Sequence, residues 1–272
     1  MGNNYMEREK NTFTTNPFAA ENSKNYTAAD IYIRNNGRKD IKKISEKIKY
    51  TENLYQEAAV VYVIKSDNHK PANTDISRVT AKIISASEYT GVSADVIACI
   101  VKRESHFRET GLSDLAGKGP MGLTNVAIKD LYARPKNYDK KLEELINKYG
   151  SLQKVFAAKK SNPILDLGNF GNILYQYENW TNLRNAVKKD YELNLKVGAY
   201  IYKYQLNKSL TNKKISIANK EYEAFKNYNN SYFKNNYADS SVATLKDART
   251  AASQDEKYLA ALEKTQKQIQ AA

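Results

Sequence analysis

The feature of this sequence that most constrains its fold is an apolar stripe at helical spacing that ends in a carboxylate. Val96, Ile97, Ile100 and Val101 recur at intervals of three and four residues, which is typical of the core-facing side of a helix. Glu104 continues the same stripe, because it follows Ile100 by four residues and Val101 by three. The pattern therefore predicts a buried helix with a carboxyl group in its last turn.

The predicted position of Glu104 favours an unusual protonation state. Burial disfavours the charged form of a carboxyl group, and so does the partial negative charge at a helix C-terminus. We therefore expect the pKa of Glu104 to be raised, and an acid that keeps its proton near neutral pH can serve as a general acid. The structural alternative is an ordinary surface ion pair with Arg108, four residues further along the helix.

Helical spacing continues through most of the chain, and no stretch shows the alternation that favours a strand. The fold is therefore predicted to be mainly α. Helices are expected at about 40–65, 76–90, 191–207 and 219–230, and Gly91 is expected to end the second of them. Residues 1–39 are rich in Asn, Thr and Lys with little apolar periodicity, and we expect them to be disordered or extended.

A set of landmarks in sequential order resembles the lysozyme-like domain of soluble lytic transglycosylases. The landmarks are Gly91-Val92, Glu104-Ser105, Phe107, Ser113, the glycine turn at 116–124, the segment Asn194 to Gly198, Tyr228-Asn229 and Tyr237-Ala238. The family usually has Gln after the Met of the glycine turn, whereas this chain has Gly122 after Met121. One hydrogen bond that the family makes to its substrate is therefore not expected here.

The resemblance implies a domain organisation. It implies a lysozyme-like helical domain at 76–244 with an inserted helical segment at about 134–190. A helix and loop at 40–75 would precede this domain. After it, apolar residues at a spacing of three and four, broken at Asp255 and Gln266, predict one amphipathic helix at 245–272. The C-terminal helix is expected to pack back on the domain or to join a partner.

The resemblance also implies an enzyme that cleaves the MurNAc-GlcNAc bond of peptidoglycan glycan strands without water. The products would carry 1,6-anhydroMurNAc ends. Glu104 would be the catalytic acid and then the catalytic base. The implied substrate-binding residues are Ser105, Met121, Gly122, Tyr228 and Asn229. Three of them have a structural alternative: Ser105 as a helix-end hydroxyl, Met121 as core packing and Tyr228 as a core aromatic.

Two other functions stay open from the sequence. A goose-type lysozyme would hydrolyse the same bond and would need a second carboxylate to hold water, for which Asp114 and Asp130 are the nearest downstream candidates. A non-catalytic glycan-binding or structural component of a secretion apparatus or phage particle is the third possibility. Gly122 in place of the family's Gln is an observation that supports this third possibility.

Composition limits cofactors and location. His69, His106 and Cys99 are too few for a metal cluster, and the glycines match no phosphate-binding motif, so we expect no cofactor and no metal. Cys99 has no partner for an internal disulfide and is expected to be a small buried apolar residue. No apolar run is long enough to span a membrane.

The formal net charge of +13 would draw the protein to an anionic matrix such as peptidoglycan with its attached polymers. We expect no nucleic-acid partner, because acidic residues are interspersed with the basic ones. The resemblance implies a periplasmic or extracellular location. The N-terminus has no apolar signal segment, which implies that a signal was removed or that export follows another route.

Overall fold

The protein is described by a computed structural model over residues 38–108, 119–129, 173, 177, 180–229 and 233–271. The helices are α1 (Arg38–Lys65), α2 (Ile76–Thr90), α3 (Ala94–Ser105), α4 (Trp180–Val187), α5 (Tyr191–Thr211), α6 (Lys220–Tyr228), α7 (Lys234–Ser253) and α8 (Glu256–Ala271). No strand occurs within these ranges, which confirms the prediction of a mainly α fold. The same ranges contain no helix with the apolar length that a bilayer crossing requires.

The predicted helices at about 40–65, 76–90, 191–207 and 219–230 correspond to α1, α2, α5 and α6. The prediction for residues 1–39 lies outside the described residues, apart from its last two positions, which belong to α1. Most of the predicted insertion at 134–190 also lies outside them, although α4 falls in its final part.

The described chain divides into two compact units. Residues up to Ala59 and from Arg249 onward form one unit, and Val60–Ala248 form the other. In the first unit, the rings of Tyr55 and Tyr258 meet edge to face with centroids 5.2 Å apart. Two buried threonine hydroxyls, those of Thr51 and Thr265, lie 3.1 Å apart in the same unit. These contacts join the N-terminal part of the chain to its C-terminal part.

The second unit is built around α5. This helix packs against α2, α4 and α6, and α2 in turn packs against α3. The buried apolar side chains of these helices include Val79, Ile83, Ile97, Ile100, Val101, Leu183, Leu195, Tyr202 and Phe225. The stripe predicted on α3 therefore lies in the core of this unit.

Residues with a left-handed backbone conformation end α2 and α3. Gly91 has a φ of +69°, and its N–H donates to the carbonyl of Ser87 at 2.7 Å, which confirms the predicted glycine termination of α2. His106 and Phe107 have φ values of +51° and +60°, so α3 ends at Ser105. Glu104 consequently occupies the last turn of its helix.

The prediction of one continuous helix over 245–272 is wrong. The chain ends α7 at Ser253 and begins α8 at Glu256. The carboxylate of Asp255 accepts the N–H groups of Lys257 at 3.0 Å and Tyr258 at 3.1 Å, which is the bonding of a helix N-cap. The apolar spacing is itself broken at Asp255, and the capping by this residue is the reason that one helix ends and another begins here.

A buried lysine terminates α5. The Nζ of Lys220, on α6, donates to the carbonyls of Ser209 at 2.6 Å, Leu210 at 3.2 Å and Asn212 at 2.8 Å. These carbonyls lie at the end of α5, where carbonyl groups lack helical partners. A charged donor thus satisfies three acceptors and joins α5 to α6.

We predict that Lys220→Met lowers the free energy of unfolding by about 2–3 kcal/mol, because one buried and two partly buried carbonyls lose charge-assisted hydrogen bonds. The matched control on the same helix is Lys226→Met, which removes a partly exposed ion pair with Glu223 and should cost less than about 1 kcal/mol. Urea unfolding of both variants at one pH measures the difference. Equal losses would show that Lys220 does not cap α5.

Candidate active site

Glu104 is half-buried in the last turn of α3 and is surrounded by protein on most sides. Its pKa is raised from 4.5 to about 7, chiefly because burial disfavours the charged carboxylate. The Tyr237 hydroxyl and the positive charge of Arg103 act in the opposite direction and lower the pKa. The expectation of a raised pKa for Glu104 is confirmed, and the group is close to half-protonated at neutral pH.

The backbone of Gly122 covers one side of this carboxyl group. Gly122 has a φ of +61° and closes a turn by donating its N–H to the carbonyl of Gly119 at 3.1 Å. A Cβ placed on Gly122 would lie 2.7 Å from Cδ of Glu104 and still closer to Oε2. Only glycine tolerates both the conformation and the close approach. A residue with a Cβ at this position would require the Glu104 carboxyl to move.

Asn194 on α5 holds the glycine turn in place. Its Oδ1 accepts the N–H of Met121 at 3.0 Å, and its Nδ2 donates to the carbonyl of Val187 at 3.1 Å. One helical turn later, Gly198 makes room for the Met121 side chain, because a Cβ there would lie 2.6 Å from Cγ of Met121. Asn194 and Met121 are both fully buried, so the turn is fixed against α5 by polar and apolar contacts together.

Two tyrosines complete the surroundings of Glu104. The hydroxyl of Tyr228, on α6, donates to the carbonyl of Met121 at 2.7 Å. The hydroxyl of Tyr237, on α7, is buried and interacts with the Glu104 carboxyl, although the pair falls short of standard hydrogen-bond geometry. The pKa of each tyrosine is raised well above 10, first by burial and then by the nearby charge of Glu104. Both hydroxyls are therefore neutral donors.

The opposite side of the α3 end is anchored to the segment after α1. The Nδ1 of His106 lies 3.1 Å from each carboxylate oxygen of the buried Asp67. One turn earlier, Lys102 donates to the hydroxyl of Ser66 at 3.0 Å. These contacts fix the helix end from which Glu104 projects.

The structure brings four of the predicted site residues together: Glu104, Met121, Gly122 and Tyr228. The hydroxyl of Ser105 is buried and donates to the carbonyl of Val101 at 3.0 Å within its own helix, so it does not point at Glu104. Asn229 ends α6, where its N–H donates to the carbonyl of Phe225 at 3.2 Å. It is a cap residue of the helix that carries Tyr228.

The alternative ion pair of Glu104 with Arg108 does not form among the described residues. The left-handed conformations of His106 and Phe107 end the helix before Arg108, so the two side chains lose the spacing that would bring them together. Asp114 and Asp130, the candidate second carboxylates, lie outside the described residues.

Tyr237 and Asn194 are not among the residues predicted for the site. The sequence offers a signal for Asn194, because an amide followed by glycine one helical turn later suits close backbone approach. Tyr237 carries a weaker signal as an aromatic residue within an otherwise small and polar stretch of α7. The sequence does not indicate that Asn194 would bond to Met121 or that Tyr237 would interact with Glu104.

Comparison with known proteins found no protein-family model, no curated protein and no solved structure that matches this chain. The resemblance to lytic transglycosylases therefore depends on the sequence landmarks. Any functional inference depends on the geometry around Glu104.

We predict that Gly122→Ala destabilises the protein more than Gly91→Ala. Both glycines have positive φ, which costs an L-residue about 1–2 kcal/mol, but a Cβ at Gly91 meets only Lys203 Nζ at 3.7 Å. At Gly122 the new methyl group also displaces the Glu104 carboxyl. Urea unfolding of the two variants gives the comparison.

The same pair of glycines gives an internal control. In a Glu104→Ala background the carboxyl is gone and only the Cβ of residue 104 remains close to the new methyl group, at 3.0 Å, so the cost of Gly122→Ala should fall towards that of Gly91→Ala. If Gly122→Ala costs as much with the carboxyl absent as with it present, then Gly122 does not press on Glu104.

We also predict a characteristic pH dependence of stability. The folded pKa of Glu104 lies near 7 and its ordinary value is 4.5, so the folded state binds more protons between these limits. The free energy of unfolding therefore falls as the pH rises through this window, by about 3 kcal/mol in all. The free energy of unfolding of Glu104→Gln lacks this decrease, so the variant becomes more stable relative to wild type as the pH rises to 7. Urea unfolding between pH 4 and 8.5 measures the gain.

The matched control is Glu192→Gln. The pKa of Glu192 is lowered, mainly by its hydrogen bond with Lys196, so its stabilising contribution is complete above 4.5 and is lost only at lower pH. Its difference from wild type should stay flat between pH 5 and 8. If the difference in the free energy of unfolding between Glu104→Gln and wild type is also independent of pH, the raised pKa of Glu104 is contradicted.

Proposed function

We propose that this protein is a peptidoglycan lytic transglycosylase in which Glu104 cleaves the MurNAc-GlcNAc bond without water. The single observation that carries the proposal is a half-buried carboxyl group with a pKa near 7, covered by a glycine turn and faced by tyrosine. A group that is half-protonated near neutral pH can both give and take a proton there. The lysozyme-like arrangement of the domain is part of the same proposal.

In the first proposed step, protonated Glu104 donates its proton to the glycosidic oxygen. The bond from that oxygen to the anomeric carbon of MurNAc then breaks. The N-acetyl group of MurNAc stabilises the positive charge that develops at this carbon, so no second protein carboxylate is needed. The backbone of Gly122 excludes water from one side of the acid, which supports its protonated form.

In the second proposed step, Glu104 acts as the base. It removes the proton from the 6-hydroxyl of the same MurNAc, and the 6-oxygen attacks the anomeric carbon to close the 1,6-anhydro ring. Glu104 regains its proton and is ready for another cycle. The Tyr237 hydroxyl stabilises the carboxylate between the two steps, because its interaction favours the charged form.

The substrate-binding roles follow from position. Met121 and Gly122 form the wall beside the carboxyl, and Tyr228 fixes that wall by donating to the Met121 carbonyl. Asn229 would act through α6, whose end it caps, and Ser105 through α3, to which its hydroxyl is bonded. The net charge of +13 supports attraction to the anionic polymers of a bacterial cell wall. We propose a periplasmic or extracellular location on the same grounds.

The test is mass spectrometry of the products that the full chain releases from purified peptidoglycan. Wild type is expected to give 1,6-anhydroMurNAc ends, and Glu104→Gln is expected to lose at least about a hundredfold in rate, since removal of general acid–base catalysis typically costs this much. The control is Glu192→Gln, which removes a carboxylate of α5 outside the site and should keep wild-type activity.

Other outcomes separate the alternatives. Reducing ends in place of anhydro ends would identify a hydrolase and would require a second carboxylate. Absence of released products from wild type and Glu104→Gln alike would favour a non-catalytic glycan-binding or structural component of a secretion apparatus or phage particle. Either result would contradict the lyase proposal.

A further inference from the structure

The residue before Glu104 makes a contact that the proposed mechanism has not used. Arg103 is exposed, and its guanidinium carbon lies 5.5 Å from the centroid of the Tyr237 ring. This distance is within the range of a cation–π interaction. Tyr237 itself is only 4% exposed and comes from α7, so a residue of α3 holds the ring of a residue on another helix.

We propose that Arg103 is a positioning residue, whose guanidinium holds the Tyr237 ring so that the Tyr237 hydroxyl stays against the Glu104 carboxyl. The proposal rests on the proposed function, in which Glu104 must change its protonation state during each cycle. Arg103 would touch neither the substrate nor the reacting atoms. It would act through the ring of Tyr237.

The position of the Tyr237 hydroxyl is not fixed by a hydrogen bond to any other group among the described residues. This atom is buried and makes no hydrogen bond of standard geometry within the described residues. The placement of its ring therefore decides how closely it approaches Glu104. Tyr228 differs, because its hydroxyl is fixed by the 2.7 Å hydrogen bond to Met121.

Arg103 and Glu104 are adjacent in sequence, and both lie next to the side chain of Tyr237. Adjacent residues on a helix point in different directions, so Arg103 and Glu104 cannot hold each other directly. Tyr237 bridges them, because its ring lies under the guanidinium and its hydroxyl interacts with the carboxyl. A change at Arg103 can thus reach Glu104 by two routes, through the charge itself and through Tyr237.

The charged and titratable groups around the carboxyl are few among the described residues. Arg103 acts from α3, Tyr228 from α6 and Tyr237 from α7, while the glycine turn contributes backbone. Arg103 and Tyr237 both lower the pKa of Glu104 against the effect of burial. Removal of either should therefore raise it.

The experiment is a double-mutant cycle read by the titration of the Glu104 side chain. The δ-carbon resonance is followed by NMR from pH 4 to 9 in protein labelled with ¹³C-glutamate, and Glu104→Gln assigns the signal. The variants are Arg103→Gln, Tyr237→Phe and the two combined. Phe keeps the aromatic ring, so only the hydroxyl is removed from the bridge.

We expect Arg103→Gln to raise the titration midpoint, and we expect this shift to fall to less than about half in the Tyr237→Phe background. The remaining part is the direct effect of the charge. Arg103→Lys keeps the positive charge, so it should retain the direct effect of that charge on the Glu104 midpoint. It should retain only part of the effect that acts through Tyr237, because an ammonium group lacks the planar stacking of a guanidinium. Equal shifts in both backgrounds would overturn the proposal, since Arg103 would then act by charge alone.

Lys82→Met provides the matched control. Lys82 forms another cation–π pair in the same unit, with its Nζ 4.8 Å from the centroid of the Tyr191 ring. Its loss should leave the Glu104 midpoint unchanged. Circular dichroism confirms that each variant is folded, and a shift in the control equal to that of Arg103→Gln would also overturn the proposal.

The titration needs no turnover, so the two proposals can fail separately. If wild type releases no anhydro products but the cycle shows coupling, the proposed function fails and the role of Arg103 stands. If wild type is an active lyase and the cycle shows no coupling, only the role of Arg103 fails.

Discussion

The close approach of the Gly122 backbone to the Glu104 carboxyl is the contact on which the rest of the site depends. It removes water from one side of the carboxyl group, and burial is the main cause of its raised pKa. It also requires glycine twice over, for the positive φ and for the lack of a Cβ. A larger residue at position 122 would first displace the Glu104 carboxyl group.

The framework serves to hold this contact. Asn194 bonds to the Met121 N–H, Gly198 accommodates the Met121 side chain, and Tyr228 bonds to the Met121 carbonyl, so α5 and α6 fix the turn from two directions. His106 and Lys102 fix the end of α3 on its other side. The Glu104 carboxyl is thereby kept in a poorly solvated position, and within the described ranges of the chain it forms no ion pair that would return its pKa to the ordinary range.

Local patterns predicted local structure well. The apolar stripe located α3 and placed Glu104 on its buried side, and Gly91 marked the end of α2. The continuous helix over 245–272 was wrong because the break in the apolar spacing at Asp255 was interpreted as one polar position within a helix, whereas Asp255 caps a new helix. The support of the glycine turn could not be predicted in this way, because Asn194 and Met121 are 73 residues apart and meet only through the packing of α5. The same holds for Tyr237, whose partner is set by where α7 lies.

The proposed chemistry requires Glu104 to keep its proton near neutral pH. Neutron diffraction from deuterated crystals at pH 6 would locate that proton directly. With a pKa near 7, about nine-tenths of the molecules should carry deuterium on a Glu104 oxygen. Nuclear density for a bare carboxylate at this pH, as expected of an ordinary glutamate, would contradict the account.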